Sequence, residues 1–188
     1  SDNKYHSFHG INRNGNVGTL LYVHGNDNAQ FCGNESCYTI ADLTENFIKG
    51  NLSFEIIGNS EKKKITYAPD TTMQAMFSDR TGRVLIIEPG IGYRLEKEKY
   101  SLITNYSILK PELTNPYVLS GDNRYEKAKD LLQGYGENFS ISNAFDVLRS
   151  VRQEGLWATR VSFVYSVAKN KVYYVLNNDF KNIAEYQF

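Results

Sequence analysis

A chain of 188 residues, 41% hydrophobic and 13% aromatic, has enough apolar material for one domain with a buried core and is too apolar to be disordered. Its 21 basic and 21 acidic side chains cancel, so no net field favours nucleic acid or an anionic membrane as partner. No apolar run is long enough to span a bilayer, and the polar start SDNKYHS is not a signal peptide.

The 14 Tyr and 10 Phe favour strands, so a strand-rich protein is expected. Residues 9–23, HGINRNGNVGTLLYV, place Gly10, Asn12 and Gly15 just ahead of an apolar run, and residues 17–23 are predicted as a buried strand. The polar loop that follows holds both cysteines, Cys32 and Cys37, in FCGNESC. They read as two ordinary thiols or a small disulfide loop, because no second Cys/His cluster completes the four ligands of a zinc site. Thr39 starts a helix, with Asp42 three residues on as a variant capping box and Gly50 as its close. Ile40, Leu43 and Phe47 share one face of it. FEIIG, 54–58, is short and apolar and reads as a strand; Lys62 to Lys64 lie in a solvated loop.

TMQAMFSDRTGRVLIIE predicts a hairpin, with Asp79 to Gly82 as its turn. Tyr93–Leu95 and residues 100–105, YSLITN, are predicted as further strands. Pro111 and Pro116 break the next stretch. A helix follows over residues 120–134, capped by Ser120 or Asp122, with Tyr125, Ala128, Leu131 and Leu132 inward and Gly134 as its stop. A second helix turns Ile141, Phe145, Leu148 and Val151 inward. WATRVSFVYSVAKNKVYYVLN closes the chain as a hairpin around Ala168–Asn170, with Trp157 expected in the core. Strands joined by tight turns, with helices in blocks, make an α+β chain with antiparallel sheet. No repeat or linker divides it, so one domain over 1–188 is expected.

The common catalytic motifs are missing: no G-x-S-x-G, no phosphate-binding glycine loop, no H-E-x-x-H. What remains is polar residues at element ends. Asn12 precedes a strand, Asn105 ends one after Thr104, and Arg124 stands at a helix start, where it opposes the helix dipole. An Asn at a strand end ordinarily makes a turn, and such an Arg is ordinarily a surface residue. Yet Asn can donate to a developing oxyanion and Arg can hold a carboxylate.

The order of these segments resembles the linear amide C–N hydrolases of the N-terminal-nucleophile superfamily: choloylglycine (bile salt) hydrolases, penicillin V acylases and related acyltransferases. HGINRNGNVGTLLYV resembles that family's G-x-N-E-x-G-L segment, with Asn12 on the family Asn, Arg13 where Glu is usual and Asn16 where Leu is usual. MQAMFSDRTGRVLIIEPGIGYRL resembles its middle hairpin. SLITNYSIL resembles its Thr-Asn strand end and places Asn105 on a second site residue; NRYEKAKDLL carries the family Arg as Arg124. WATRVSFVYSVAKNKVYYVLN resembles its closing hairpin.

The resemblance implies a four-layer αββα sandwich of two antiparallel sheets between helices. It also implies a Cys nucleophile at the mature N-terminus, whose own amine (pKa ~8, lowered by burial) acts as base. Asn12, Asn105 and Arg124 would be the catalytic residues, with no metal and no cofactor, acting on a small-molecule N-acyl amide. Only nine residues precede Gly10, so the family's first strands are expected to be missing and Ser1 to be a cut rather than a nucleophile. A sheet lacking those strands would expose backbone and apolar surface, so association with a second copy or with the missing segment is expected, and no amide hydrolysis by this piece alone. A non-catalytic binding or interaction homologue on the same scaffold is the competing reading, and an acyltransferase of the same family, differing only in acceptor, is a third. A cytoplasmic setting is the default expectation.

Overall fold

The opening turn shows how the first half of the chain is built. In a computed structural model, which describes residues 9–23, 38–58, 65–66, 73–113 and 122–188, His9–Ile11 (β1) and Val17–Tyr22 (β2) pair antiparallel around Asn12. Gly10 lies opposite Gly18, and helix Ile40–Ile48 (α1) presses Ile48 onto both. A Cβ added at Gly10 or Gly18 would come within 2.7 or 2.9 Å of the Ile48 side chain, so this close helix–sheet approach requires glycine.

The described residues form two compact units, Ser1–Ser120 and Gly121–Phe188. In the first, β1, β2, Met73–Ser78 (β5), Val84–Glu88 (β6) and Gly92–Leu95 (β7) make a five-stranded antiparallel sheet in the order β1-β2-β5-β6-β7. Tyr38–Thr39 (β3) and Ile65–Thr66 (β4) form a separate parallel pair. Strand alternation turns Leu20, Ala75, Phe77, Leu85 and Ile87 to one face, and these pack with Ile40, Leu43 and Phe47 of α1 into the core. Phe47 is wholly buried, edge-on to Phe77 with ring centroids 5.4 Å apart. α1 starts as expected: Thr39 Oγ1 accepts from Asp42 N at 3.0 Å, and Gly50 takes φ +80 just past the helix end.

The predicted hairpin is present, β5 to β6. Asp79 Oδ1 accepts from Thr81 N, Thr81 Oγ1 and Arg83 N at 3.0, 2.7 and 3.1 Å, and Gly82 takes φ +85. Burial pushes the Asp79 carboxyl up, but these bonds and the Arg83 guanidinium outweigh it and hold it below the usual carboxylate range.

Two expected strands are not strands. FEIIG is a short helix, Phe54–Gly58 (α2). Ser53 Oγ accepts from Ile56 N at 3.3 Å, and Phe54 and Ile57, three apart, are buried while Ile56 is exposed. That is helical spacing, not alternation. Residues 100–105 are not in a strand; Gln74 of the sheet meets the Thr104 carbonyl and the Tyr106 carbonyl just beyond, as described below.

In the second unit, helices Arg124–Gly134 (α3) and Ile141–Ser150 (α4) pack on each other, and α4 lies against Val161–Ser166 (β8). β8 pairs with Lys171–Leu176 (β9), and Ala184–Gln187 (β10), not foreseen from sequence, adds a third antiparallel strand. Ala128 and Phe145 are buried, whereas Tyr125, Leu131, Leu132, Ile141, Leu148 and Val151 are half-buried. Ser140 and Asn143 form a reciprocal capping box at α4. Asn170 takes φ 48 in the β8–β9 turn, and Tyr165 Oη bonds its Oδ1 at 2.8 Å. Ser120 lies outside the described residues, and Asp122 stands one residue before the N-cap, Asn123. Trp157 is not core: it sits in a single 3-10 turn, Gly155–Trp157, and is 78% exposed, because the turn ends before β8 begins. The expected class, α+β with antiparallel sheet, is observed in both units.

Candidate functional site

Asn12, Asn105 and Arg124 each have a definite seat. Asn12 closes the β1–β2 turn. Its Oδ1 accepts from Asn14 N and Asn16 N at 2.9 and 3.1 Å, while Gly15 N reaches the Asn12 carbonyl at 2.9 Å and Gly15 takes φ +86. Asn16 Nδ2 in turn donates to the Phe47 carbonyl at 3.2 Å and ties the turn to the end of α1. The ordinary reading of an Asn at a strand end therefore accounts for Asn12.

Asn105 sits at the other end of β2. Its Nδ2 donates to the Tyr22 carbonyl at 3.0 Å. Five residue rises of about 3.3 Å separate the two ends of β2, roughly 16 Å. Asn12 and Asn105 thus lie at opposite ends of β2.

What holds the segment around Asn105 was not anticipated. Gln74 on β5 and Glu88 on β6 fall opposite each other when the β5–β6 register is continued by one residue, and both point away from α1. Both are buried, at 0% and 1% exposure. Gln74 Nε2 donates to the carbonyls of Thr104 and, at 3.2 Å, Tyr106. Glu88 accepts from Ser107 Oγ, from Ile108 N at 2.7 Å and from Leu109 N at 3.0 Å. Ser107 Oγ accepts from Lys110 N at 2.9 Å. Two side chains thus meet the Thr104 and Tyr106 carbonyls and the Ile108 and Leu109 N–H groups, where a neighbouring strand would otherwise do so. The signal was visible only as polar residues inside apolar strands, M-Q-A-M-F and V-L-I-I-E.

Arg124, in the second unit, is the first residue of α3, where the helix dipole is unfavourable to a cation. Asp122 answers that cost: its Oδ1 accepts from Arg124 N and Nε at 3.2 and 2.9 Å, and its Oδ2 from Nη2 at 2.7 Å. The guanidinium holds the Asp122 carboxyl below the usual aspartate range. Nη1 donates to Gln153 Oε1 at 3.0 Å. Gln153 is itself fixed, its N–H by Thr159 Oγ1 at 2.9 Å and its carbonyl by Asn178 Nδ2 at 2.9 Å and Thr159 N at 3.0 Å. The Thr of the W-x-T signal therefore acts on Arg124 through Gln153.

The structure thus joins Asn105 to Tyr22 and Gln74, and Arg124 to Asp122 and Gln153. Cys32, Cys37 and Ser1 lie outside the described residues. Among the described residues no group of three His, Cys, Asp or Glu is placed to hold a metal, and no helix is long and apolar enough to cross a membrane.

No protein-family model and no curated protein matches the sequence. Solved structures do match. Two variants of conjugated bile acid hydrolase from Clostridium perfringens align with TM-scores of 0.66 and 0.65 at 16% identity, covering 100% of this chain and 79% of theirs. Penicillin V acylase from Agrobacterium tumefaciens aligns with a TM-score of 0.70 at 16% identity, covering 91% of this chain and 63% of that one. Both are choloylglycine-hydrolase-type enzymes of the N-terminal-nucleophile superfamily. The chain has the fold of these N-terminal-nucleophile hydrolases.

Proposed function

We propose that the chain takes part in hydrolysis of a linear acyl amide C–N bond and that its two units work as one N-terminal-nucleophile domain. The reading is carried by a fold match that runs over the whole chain to a conjugated bile acid hydrolase and over 91% of it to a penicillin V acylase. In the proposed reaction a cysteine thiol, supplied by a position that neither Cys32 nor Cys37 matches, attacks the amide carbonyl through sulfur. Its proton passes to the terminal amine and then to the leaving nitrogen. Water then cleaves the thioester and returns the proton to sulfur, releasing the acid. Asn105, pinned against Tyr22, is the proposed donor to the tetrahedral oxygen anion. Arg124, held in one rotamer by Asp122 and Gln153, is the proposed ordering cation. Asn12 enters only by shaping the hairpin that carries β2.

The separation of Asn12 from Asn105 favours a second reading, a binding homologue that keeps the scaffold without the full donor set. Turnover separates the two. The full-length protein is assayed with penicillin V, conjugated bile salts and N-acyl amino acids. Asn105→Ala is expected to lower kcat by on the order of a hundredfold, the loss of one oxyanion donor. Absence of turnover by the unsubstituted protein across all three classes supports the binding reading. Turnover unchanged in Asn105→Ala removes Asn105 from the site.

A further inference from the structure

We propose that Gln74 is a positioning residue for Asn105. The positioning is read from geometry alone; its consequence for turnover rests on the function proposed above. Gln74 stands on the central strand β5, fully buried, and its Nε2 donates to the carbonyls of Thr104 and Tyr106, the residues on either side of Asn105. A carboxamide nitrogen has two N–H bonds, so one group can grip both carbonyls at once. The grip fixes the backbone before and after Asn105, and that backbone aims the Asn105 carboxamide at the Tyr22 carbonyl 3.0 Å away. Reversing the Gln74 amide would set its oxygen against both carbonyls, so the orientation is determined by its partners.

Gln74 Oε1 is buried and has no hydrogen-bond partner among the described residues. A buried acceptor left unmet costs about 1–3 kcal/mol. An apolar side chain of similar length on this strand would avoid that cost, as Met76 does two residues on along the same face. Met at position 74 would, however, leave the Thr104 and Tyr106 carbonyls without their donor. The N–H end of Gln74 therefore has a use that offsets its oxygen, and the only groups it is seen to hold are the two that flank Asn105.

Glu88 does not duplicate this. It holds Ser107, Ile108 and Leu109, further along the segment. Glu88 anchors the tail of the segment, and Gln74 sets the angle at which Asn105 leaves it.

The test uses Gln74→Met, close in volume and without donors, and Gln74→His, which restores one ring N–H. In the full-length protein labelled with nitrogen-15, hydrogen exchange of the Asn105 side-chain amide is followed by NMR, assigned by its loss in Asn105→Ala. Gln74→Met is expected to speed that exchange by on the order of tenfold or more, the scale of a lost hydrogen bond. Gln74→His is expected to fall between Gln74→Met and the unsubstituted protein. With a turned-over acyl amide, Gln74→Met lowers kcat with KM within about twofold, the pattern of an interaction made only in the transition state. Unchanged Asn105 exchange in folded Gln74→Met overturns the proposal. Should that variant not fold, unchanged exchange in Gln74→His overturns it equally, because a single ring N–H cannot span both carbonyls. Altered exchange in a protein that hydrolyses no amide sustains the positioning and removes the proposed function instead.

Discussion

Asn105 and Arg124 are both polar residues at the end of an element, and the molecule secures them in opposite ways. Asn105 lies in a segment without regular structure, and residues 17 to 31 positions away in sequence hold that segment: Gln74 and Glu88 from the buried face of the sheet. Arg124 is held first by Asp122, two residues before it, at 28% and 25% side-chain exposure. One site is built from the core outward, the other from the surface by a neighbour. Loss of a support should therefore unfold the first region and only loosen the second.

Glu88→Ala breaks the contrast most severely. It removes the acceptor of Ser107 Oγ and of two backbone N–H groups while leaving all three donors in place. Orphaned donors cost about 1–3 kcal/mol each when buried, so a loss of about 3 kcal/mol or more is expected, read from the urea midpoint. Glu88→Gln keeps one oxygen acceptor and should cost less than half as much. A loss below about 1 kcal/mol in Glu88→Ala would show that the segment is held by something other than Glu88.

Asp122→Asn tests the other side and should cost only about 0.5–1 kcal/mol at neutral pH, the scale of a largely surface ion pair. Its pH dependence has a definite sign. The folded Asp122 carboxyl titrates below its unfolded value near ~3.9, so its contribution is complete above that value and fades as pH falls through the lower folded value. The stability gap between the unsubstituted protein and Asp122→Asn should stay level from neutral pH down to about 5 and close below about 4. A gap that persists at pH 3 would assign the effect to shape rather than charge.

The same division explains what could be read from the sequence. The Thr39 cap, the Asp79–Gly82 turn and the Asn170 turn rest on side chains bonding to residues two to five positions away, and each was legible. Asp122 was legible as a polar group near a helix start, though not as the partner of Arg124. The supports of Asn105 were not legible, because Gln74 and Glu88 look in sequence like polar interruptions of strands, and only the sheet register brings them side by side. Residues 100–105 differ from expectation for the same reason: their apolar, strand-like composition says nothing of the Thr104 carbonyl taken by Gln74. FEIIG failed because five residues are too few to separate alternation from the i, i+3 spacing of Phe54 and Ile57.

Trp157 sharpens the comparison at its quiet end. An aromatic residue beside a predicted strand invites assignment to the core, where replacement by Ala would cost about 3–5 kcal/mol, as expected for fully buried Phe47. The structure leaves Trp157 78% exposed on a one-turn helix whose backbone closes itself, Ala158 N to the Gly155 carbonyl at 3.1 Å. Two residues later Thr159 fixes Gln153, and through it Arg124, by bonds that use no part of the indole. Trp157→Ala should therefore change stability by no more than about 0.5 kcal/mol and leave the Arg124 contacts intact. It is the only tryptophan in this sequence, so within it quenching of its emission by iodide reports this one ring and should match that of free tryptophan. A shielded ring together with a core-sized loss of stability would mean that the second unit is also secured from a buried face, and the contrast between the two residues would vanish.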